Sequence, residues 1–334
     1  MKPAILGISG LELTPDEAAL LGDHQPLGII LFRRNIDHPA QIRDLCASIR
    51  ELIGQSGPKL WVDQEGGRVQ RLTEPHWEKL PPAAAIAAIH ENDSNVAEYA
   101  AWLSGRIIAD QVRDAGFDAA CAPVLDLGFP ETHDVIGDRA FGPDPVVVAL
   151  LARSQAEGLQ AGGVVPVSKH WPGHGRATVD SHEHLPVVTA SRDDLIRTDL
   201  ESFRLAADCA PIAMTGHLVF DALDPNRPST LSPVVIEEII RGHCGFGGFL
   251  VSDDLNMKAL GGPRGGLACQ AIDSGCDGVL QCSGDFATMR EVLEEMDEIS
   301  DASLARWMAI SDTTSSVEAV DRHQLMHELR DMIA

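Results

Sequence analysis

The chain has 334 residues, 44% of them hydrophobic, and sets 26 Lys plus Arg against 50 Asp plus Glu for a formal net charge of −24. Such a surface repels phosphate backbones and anionic lipid, which argues against nucleic acid and membranes as partners, although one local basic pocket can still receive an anionic small molecule. The length suits two ordinary domains or one large α/β barrel.

The opening MKPAILGISGLEL holds only a short apolar run, too brief for a signal peptide or for the ~18 residues of a membrane span. Short apolar runs then recur along the chain: AILGIS (4–9), GIILF (28–32), KLWVD (59–63), DAACAPV (118–124), VVPVSK (164–169), PIAMT (211–215), GFLVSD (248–253) and DGVLQC (277–282). Continuous apolar character over four to six residues suits a parallel strand buried on both faces. Amphipathic stretches lie between them, among them PAQIRDLCASIRELI, NVAEYAAWLSGRIIADQVRDAG, RDDLIRTDLESFRLAADC and SPVVIEEIIRGHCG. Thr14 with Glu17 and Ser191 with Asp194 match capping boxes, and Pro15 and Pro233 follow N-cap candidates. Eight strands alternating with helices predict a single-domain (β/α)8, TIM-like barrel over 1–334, with extra C-terminal helices from about 286. An open doubly wound sheet is the second choice, because no GxGxxG opens a helix after a strand. The seven cysteines are odd in number, scattered and without a CxxC pair, as expected of reduced thiols in a cytoplasmic protein.

Barrel active sites sit at the C-terminal ends of the strands. Run three ends in Asp63 and run five in Lys169-His170. Run seven ends in Asp253-Asp254, and His217 follows run six. The stretch KHWPGHGRATVDSHEHLP (169–186) adds four histidines and a lysine in eighteen residues, with Asp180 two before His182. An extended loop would place that carboxylate where it can orient and charge the imidazole for proton transfer near neutral pH. In WVDQEGGRVQRL, Gly66 and Gly67 permit close backbone approach and Asp63 can accept from hydroxyls. GDRAFG (137–142) is weaker and reads as a structural loop. The residues alone leave four readings open. His182 and His184 form an HxH that would bind zinc with His170, His217 or Asp253. Lys169 would form a Schiff base if desolvation freed its amine. Asp253 would act as a nucleophile with His182 as its proton partner. The barrel would bind a metabolite without turnover.

DQEGGRVQR, KHWPGHGRATVDSH and VSDDLNM, in this order, resemble the bacterial β-N-acetylhexosaminidases of glycoside hydrolase family 3, of the NagZ type. LGIILFRRNIDHPAQI and GFDAACAPVLDL extend the likeness to about residues 5–290. The resemblance implies a retaining exo-β-N-acetylglucosaminidase acting on GlcNAc-anhydro-muropeptides in cell-wall recycling. It implies Asp253 as nucleophile, His182 assisted by Asp180 as acid/base, and Asp63, Arg71, Arg139, Lys169 and His170 as sugar ligands. No cofactor or metal is implied, the partner is a small glycoside, and a monomer is expected. A β-glucosidase or a GlcNAc phosphorylase would use the same residues, and a metal-dependent hydrolase stands further off. Two positions depart from the pattern: Trp171 stands where phenylalanine is usual, and Gly278 where a larger apolar residue is common.

Overall fold

The eight apolar runs become eight parallel strands: β1 (Lys2–Leu6), β2 (Pro26–Leu31), β3 (Leu60–Val62), β4 (Ala119–Ala120), β5 (Val165–Trp171), β6 (Ile212–Thr215), β7 (Phe249–Asp254) and β8 (Gly278–Gln281). In the computed structural model, which describes residues 1–54, 57–130, 132–181, 183–310, 317 and 319–334, each strand pairs with the next. β8 returns to β1 with Ala4 opposite Val279 and Leu6 opposite Gln281, so the sheet closes into a barrel. The open doubly wound alternative is thereby excluded.

Alternation along each strand divides the apolar residues between two cores. Ile5, Ile30, Trp61, Val167, Met214, Val251 and Leu280 fill the barrel interior. Leu6, Ile29, Leu60, Val62, Ala213, Leu250 and Val279 face outward and pack with the surrounding helices. The N-terminal end of the barrel is sealed from outside. Trp307, on the helix Asp301–Met308, joins the interior cluster and meets Phe249 edge-on, with ring centroids 5.0 Å apart. Gly278 makes this possible, because a Cβ there would lie 3.0 Å from the Phe249 ring. That departure from the family pattern therefore exchanges a strand side chain for an aromatic from the neighbouring strand.

Local signals are realised with one correction. Thr14 and Glu17 form the reciprocal capping box, with Pro15 beginning the helix. Ser191 caps its helix through Asp194 N–H at 3.2 Å, but the Asp194 carboxylate bonds the Ser191 hydroxyl at 2.6 Å instead of the backbone. Aspartate is one methylene shorter than the glutamate that completes such a box. The amphipathic stretch from 192 to 209 breaks at Thr198 into the helices Arg192–Arg197 and Asp199–Leu205. Its hydroxyl and Asp199 both accept from Arg176, at 3.0 and 2.6 Å, which ties the chain after β5 to the break. The cysteines are free, and all but half-buried Cys269 are buried. No helix among the described residues is long and apolar enough to cross a membrane.

Candidate active site

The strand ends deliver their ionisable groups to one mouth. Asp63, Arg71, Arg139, Lys169, His170 and Asp253 line a single cavity of about 210 Å³. Asp63 comes from the tip of β3, Lys169 and His170 from β5, and Asp253 from β7. Arg71 follows a small hairpin, Gln64–Gly66 against Val69–Gln70, and Arg139 ends a short turn of helix, Gly137–Arg139.

The charges form an alternating chain, with Arg71 bonded to Asp63 at 2.9 Å and Asp63 to Lys169 at 3.0 Å. Lys169 bonds Glu65 at 2.6 Å, and Glu65 is gripped by Arg139 through two bonds of 2.8 Å. Burial alone would raise the carboxyl pKa values. Lys169 and Arg71 overcome this at Asp63 and hold it well below the usual carboxylate range. Arg139 and Lys169 bring Glu65 down to about 2. Burial likewise opposes the charge on Lys169, but Asp63 and Glu65 more than offset it and raise its pKa above the ordinary lysine value. A Schiff base needs a free amine, so this pairing overturns the aldolase reading of Lys169.

His170 is held from behind. Its Nδ1 lies 2.6 Å from the Oδ2 of fully buried Asp126, and its Nε2 lies 3.4 Å from Arg139 Nη2. Arginine can only donate, so Nε2 accepts and Nδ1 carries its proton toward Asp126. Burial works against the Asp126 charge, but His170 lowers its pKa overall. Asp126 Oδ1 also accepts from the backbone of His170 and of His174, at 3.3 and 2.7 Å.

At the β7 tip the two aspartates divide their tasks. Asp254 Oδ1 accepts from Asn256 N–H and Cys282 N–H, at 3.0 and 2.9 Å, and so fixes the turn after the strand. Asp254 N–H in turn bonds Asp253 Oδ1 at 2.8 Å, while Asp253 N–H reaches Thr215 Oγ1 at 3.3 Å. His217 is buried behind them, between Thr230 Oγ1 at 2.7 Å and the Asp254 carbonyl at 3.1 Å. Asp254 therefore caps the turn after β7 and not the next helix.

Asp180 is half-buried and lies one residue before Ser181, which lines the cavity. Its carbonyl accepts from Glu183 and His184 N–H at 3.0 and 2.9 Å. His182 lies outside the described residues. The side chain of His184, its partner in the HxH reading, is exposed. The glycines before this loop serve close packing: a Cβ on Gly175 would lie 2.3 Å from the Leu127 carbonyl.

This cluster sits at the end of the barrel where the fold places catalysis. Residues 5–309 match the model of the glycosyl hydrolase family 3 N-terminal domain. The chain belongs to glycoside hydrolase family 3. It is 38% identical to a β-hexosaminidase of Alkalilimnicola ehrlichii over 96% of this chain and 95% of that one. It is 39% identical to a β-hexosaminidase of Pseudomonas aeruginosa over 84% and 82%. NagZ from Neisseria gonorrhoeae in complex with N-trifluoroacetyl-D-glucosamine superimposes with a TM-score of 0.89 at 31% identity, covering 100% of this chain and 98% of that one. The enzyme is thus a glycoside hydrolase of the β-hexosaminidase group of family 3.

Two residues of this family 3 site were not legible beforehand. Glu65 stands two after Asp63, a spacing that puts alternate side chains of an extended chain on one side, but the GlyGly that follows reads as a turn. Asp126 is a lone carboxylate in the apolar VLDL. Only its burial against His170 reveals a role.

Proposed function

We propose that the enzyme removes single terminal β-linked N-acetylglucosamine residues with retention of configuration, from GlcNAc-anhydro-muropeptides in cell-wall recycling. The observation that carries this is the cavity. Its volume of about 210 Å³ falls below the ~300–1,000 Å³ of drug-sized sites and suits one sugar ring. Its wall presents both acceptors and charged donors, with Asp253 at the mouth. The glucosamine derivative in the Neisseria gonorrhoeae NagZ complex supports the same substrate class.

In the first displacement, an Asp253 oxygen attacks the anomeric carbon. The bond to the aglycone oxygen breaks, and that oxygen takes a proton from charged His182. In the second, His182 takes a proton from water, the water oxygen bonds the anomeric carbon, and the ester to Asp253 breaks. Asp180 supports the imidazolium between the two steps. A positioned acid/base of this kind contributes roughly 10²–10⁴-fold. Asp63 and Glu65 accept from sugar hydroxyls, Arg71, Arg139 and Lys169 supply charged donors, and His170 presents an Nε2 acceptor whose tautomer is already set. Such groups need little reorganisation as charge develops.

The test compares chromogenic β-GlcNAc and β-Glc glycosides with wild type, Asp253→Ala and His182→Ala. Wild type should prefer β-GlcNAc, and Asp253→Ala should be nearly inactive on both. His182→Ala should lose roughly 10²–10⁴-fold on poor leaving groups and much less on good ones. A wild type that cleaves neither glycoside would refute the proposal. Repeating the wild-type assay with added phosphate separates hydrolysis from phosphorolysis, because phosphorolysis would yield the sugar 1-phosphate.

A further inference from the structure

His174 has no part in this mechanism, yet it is one of the most constrained side chains at the site. It is 2% exposed, and its backbone N–H is held by Asp126 at 2.7 Å. The chain that follows is pinned: Gly175 packs against the Leu127 carbonyl, its own carbonyl accepts from Thr132, and His133 N–H reaches the Ala177 carbonyl at 3.0 Å. The ring lies 5.8 Å from that of His170, centroid to centroid. From this fixed post, His174 Nε2 lies 2.9 Å from Ser181 Oγ. Ser181 is the residue between Asp180 and His182, and it lines the cavity.

We propose that His174 and Ser181 form a latch that holds Ser181, the residue after Asp180, at the cavity wall, His174 being a positioning residue for proton transfer. The inference rests on the reading of His182, with Asp180, as the acid/base. The bond closes the loop 174–181 on itself and connects it, through Asp126, to the same buried carboxylate that fixes His170. One carboxylate would then set both the sugar-binding histidine and the origin of the catalytic loop.

The chemistry of the pair suits a latch that opens. Burial lowers the His174 pKa to about 4, overcoming the opposing pull of Asp126, so the ring is neutral at ordinary pH. A hydrogen bond between a neutral imidazole and a hydroxyl has a small net worth, and breaking it leaves no buried charge behind. An ion pair at this point would hold the segment far more firmly. Among the described residues His174 Nδ1 has no hydrogen-bond partner, so Ser181 is the polar partner of the ring. A satisfied core histidine would not spend its one side-chain bond on the neighbour of both groups proposed to move protons.

The latch is tested with Ser181→Ala, Ser181→Thr and His174→Leu, beside His182→Ala. Each is assayed on an aryl β-GlcNAc glycoside with a poor phenol leaving group, and on a dinitrophenyl glycoside with and without azide. Azide attacks the glycosyl-enzyme directly and releases Asp253 as the glycosyl azide forms, so neither step on the dinitrophenyl substrate then needs His182. Ser181→Ala and His174→Leu should lose at least ~10-fold on the phenol glycoside, part of the full acid/base contribution. Their azide-supported rate on the dinitrophenyl glycoside should stay within about threefold of wild type, because a positioned acid is not called upon there. Ser181→Thr, which keeps the hydroxyl, should restore most of the phenol-glycoside rate. Equal losses on both substrates, or no loss in Ser181→Ala on either, would overturn the latch. If His182→Ala shows the leaving-group signature and Ser181→Ala does not, the latch alone fails. If His182→Ala lacks that signature, the acid/base reading fails and the latch with it.

Discussion

Among the site residues, Glu65 carries a large stability consequence. It is 8% exposed and sits between Lys169 and Arg139, so removing its charge leaves two buried cations short of a partner. Breaking a buried pair from one side costs about 3–5 kcal/mol, and Glu65→Gln should lose stability on that scale in a denaturant titration. The pH dependence has a definite sign. The folded pKa of Glu65 is depressed from 4.5 to about 2, so its contribution is complete above 4.5 and is lost as the pH falls toward 2. The Tm of Glu65→Gln should therefore fall less steeply than that of wild type across this window. Equal slopes would mean that folding does not lower the Glu65 pKa.

At the scale of elements, β5 is the strand on which packing and chemistry are most closely joined. Lys169 and His170 reach the cavity, and Trp171 turns into the outer core. There its ring meets Phe203 and Phe246 at centroid distances of 4.8 and 5.0 Å, and its Nε1–H donates to Ser168 Oγ at 3.0 Å. Trp171→Phe restores the family's usual residue but loses that bond and leaves a void. It should cost about 1–2 kcal/mol of unfolding free energy while kcat changes little, because the ring is absent from the cavity lining. A large fall in kcat would show that the strand tip shifts with the ring. Elements were the best-read level of this chain. All eight apolar runs became strands because burial on both faces leaves no room for polar interruptions. The hairpin 64–70 escaped notice because its glycines mark a turn without saying that the flanking residues pair. Glu65 went unseen for a related reason: its partner Arg139 lies 74 residues away, and no local pattern records that distance. The break at Thr198 was equally hidden, since a single threonine inside an amphipathic stretch gives no sign that Arg176 will claim its hydroxyl.

At the scale of the molecule, the barrel is organised from its two ends. The C-terminal mouth is polar and charged, whereas the opposite end is closed by Trp307, which no strand supplies. Trp307 is fully buried, and Trp307→Ala should destabilise the protein by about 3–5 kcal/mol, the range for deleting a large core aromatic. Because the loss lies at the far end from Asp253, kcat measured below the lowered Tm should remain near that of wild type. A parallel loss of kcat would indicate that the interior transmits the void to the mouth. The last helix, Arg322–Ile333, docks through fully buried Met326 and Leu329, and Arg322 adds bonds to Asp110 and Asp114 at 3.0 and 3.1 Å. That contact is partly exposed, and surface pairs of this kind contribute little.

The pairing of Ala4 with Val279 also imposes an order in time. During synthesis, β1 leaves the ribosome first, and the strand that completes its hydrogen bonding is made about 270 residues later. At ribosomal rates of roughly 5–20 residues per second, β1 waits on the order of tens of seconds with one edge open. Lys2 lies at the start of that edge, and the rest of the strand is apolar. For a newly made chain, that interval leaves an apolar strand edge open to aggregation and to chaperones.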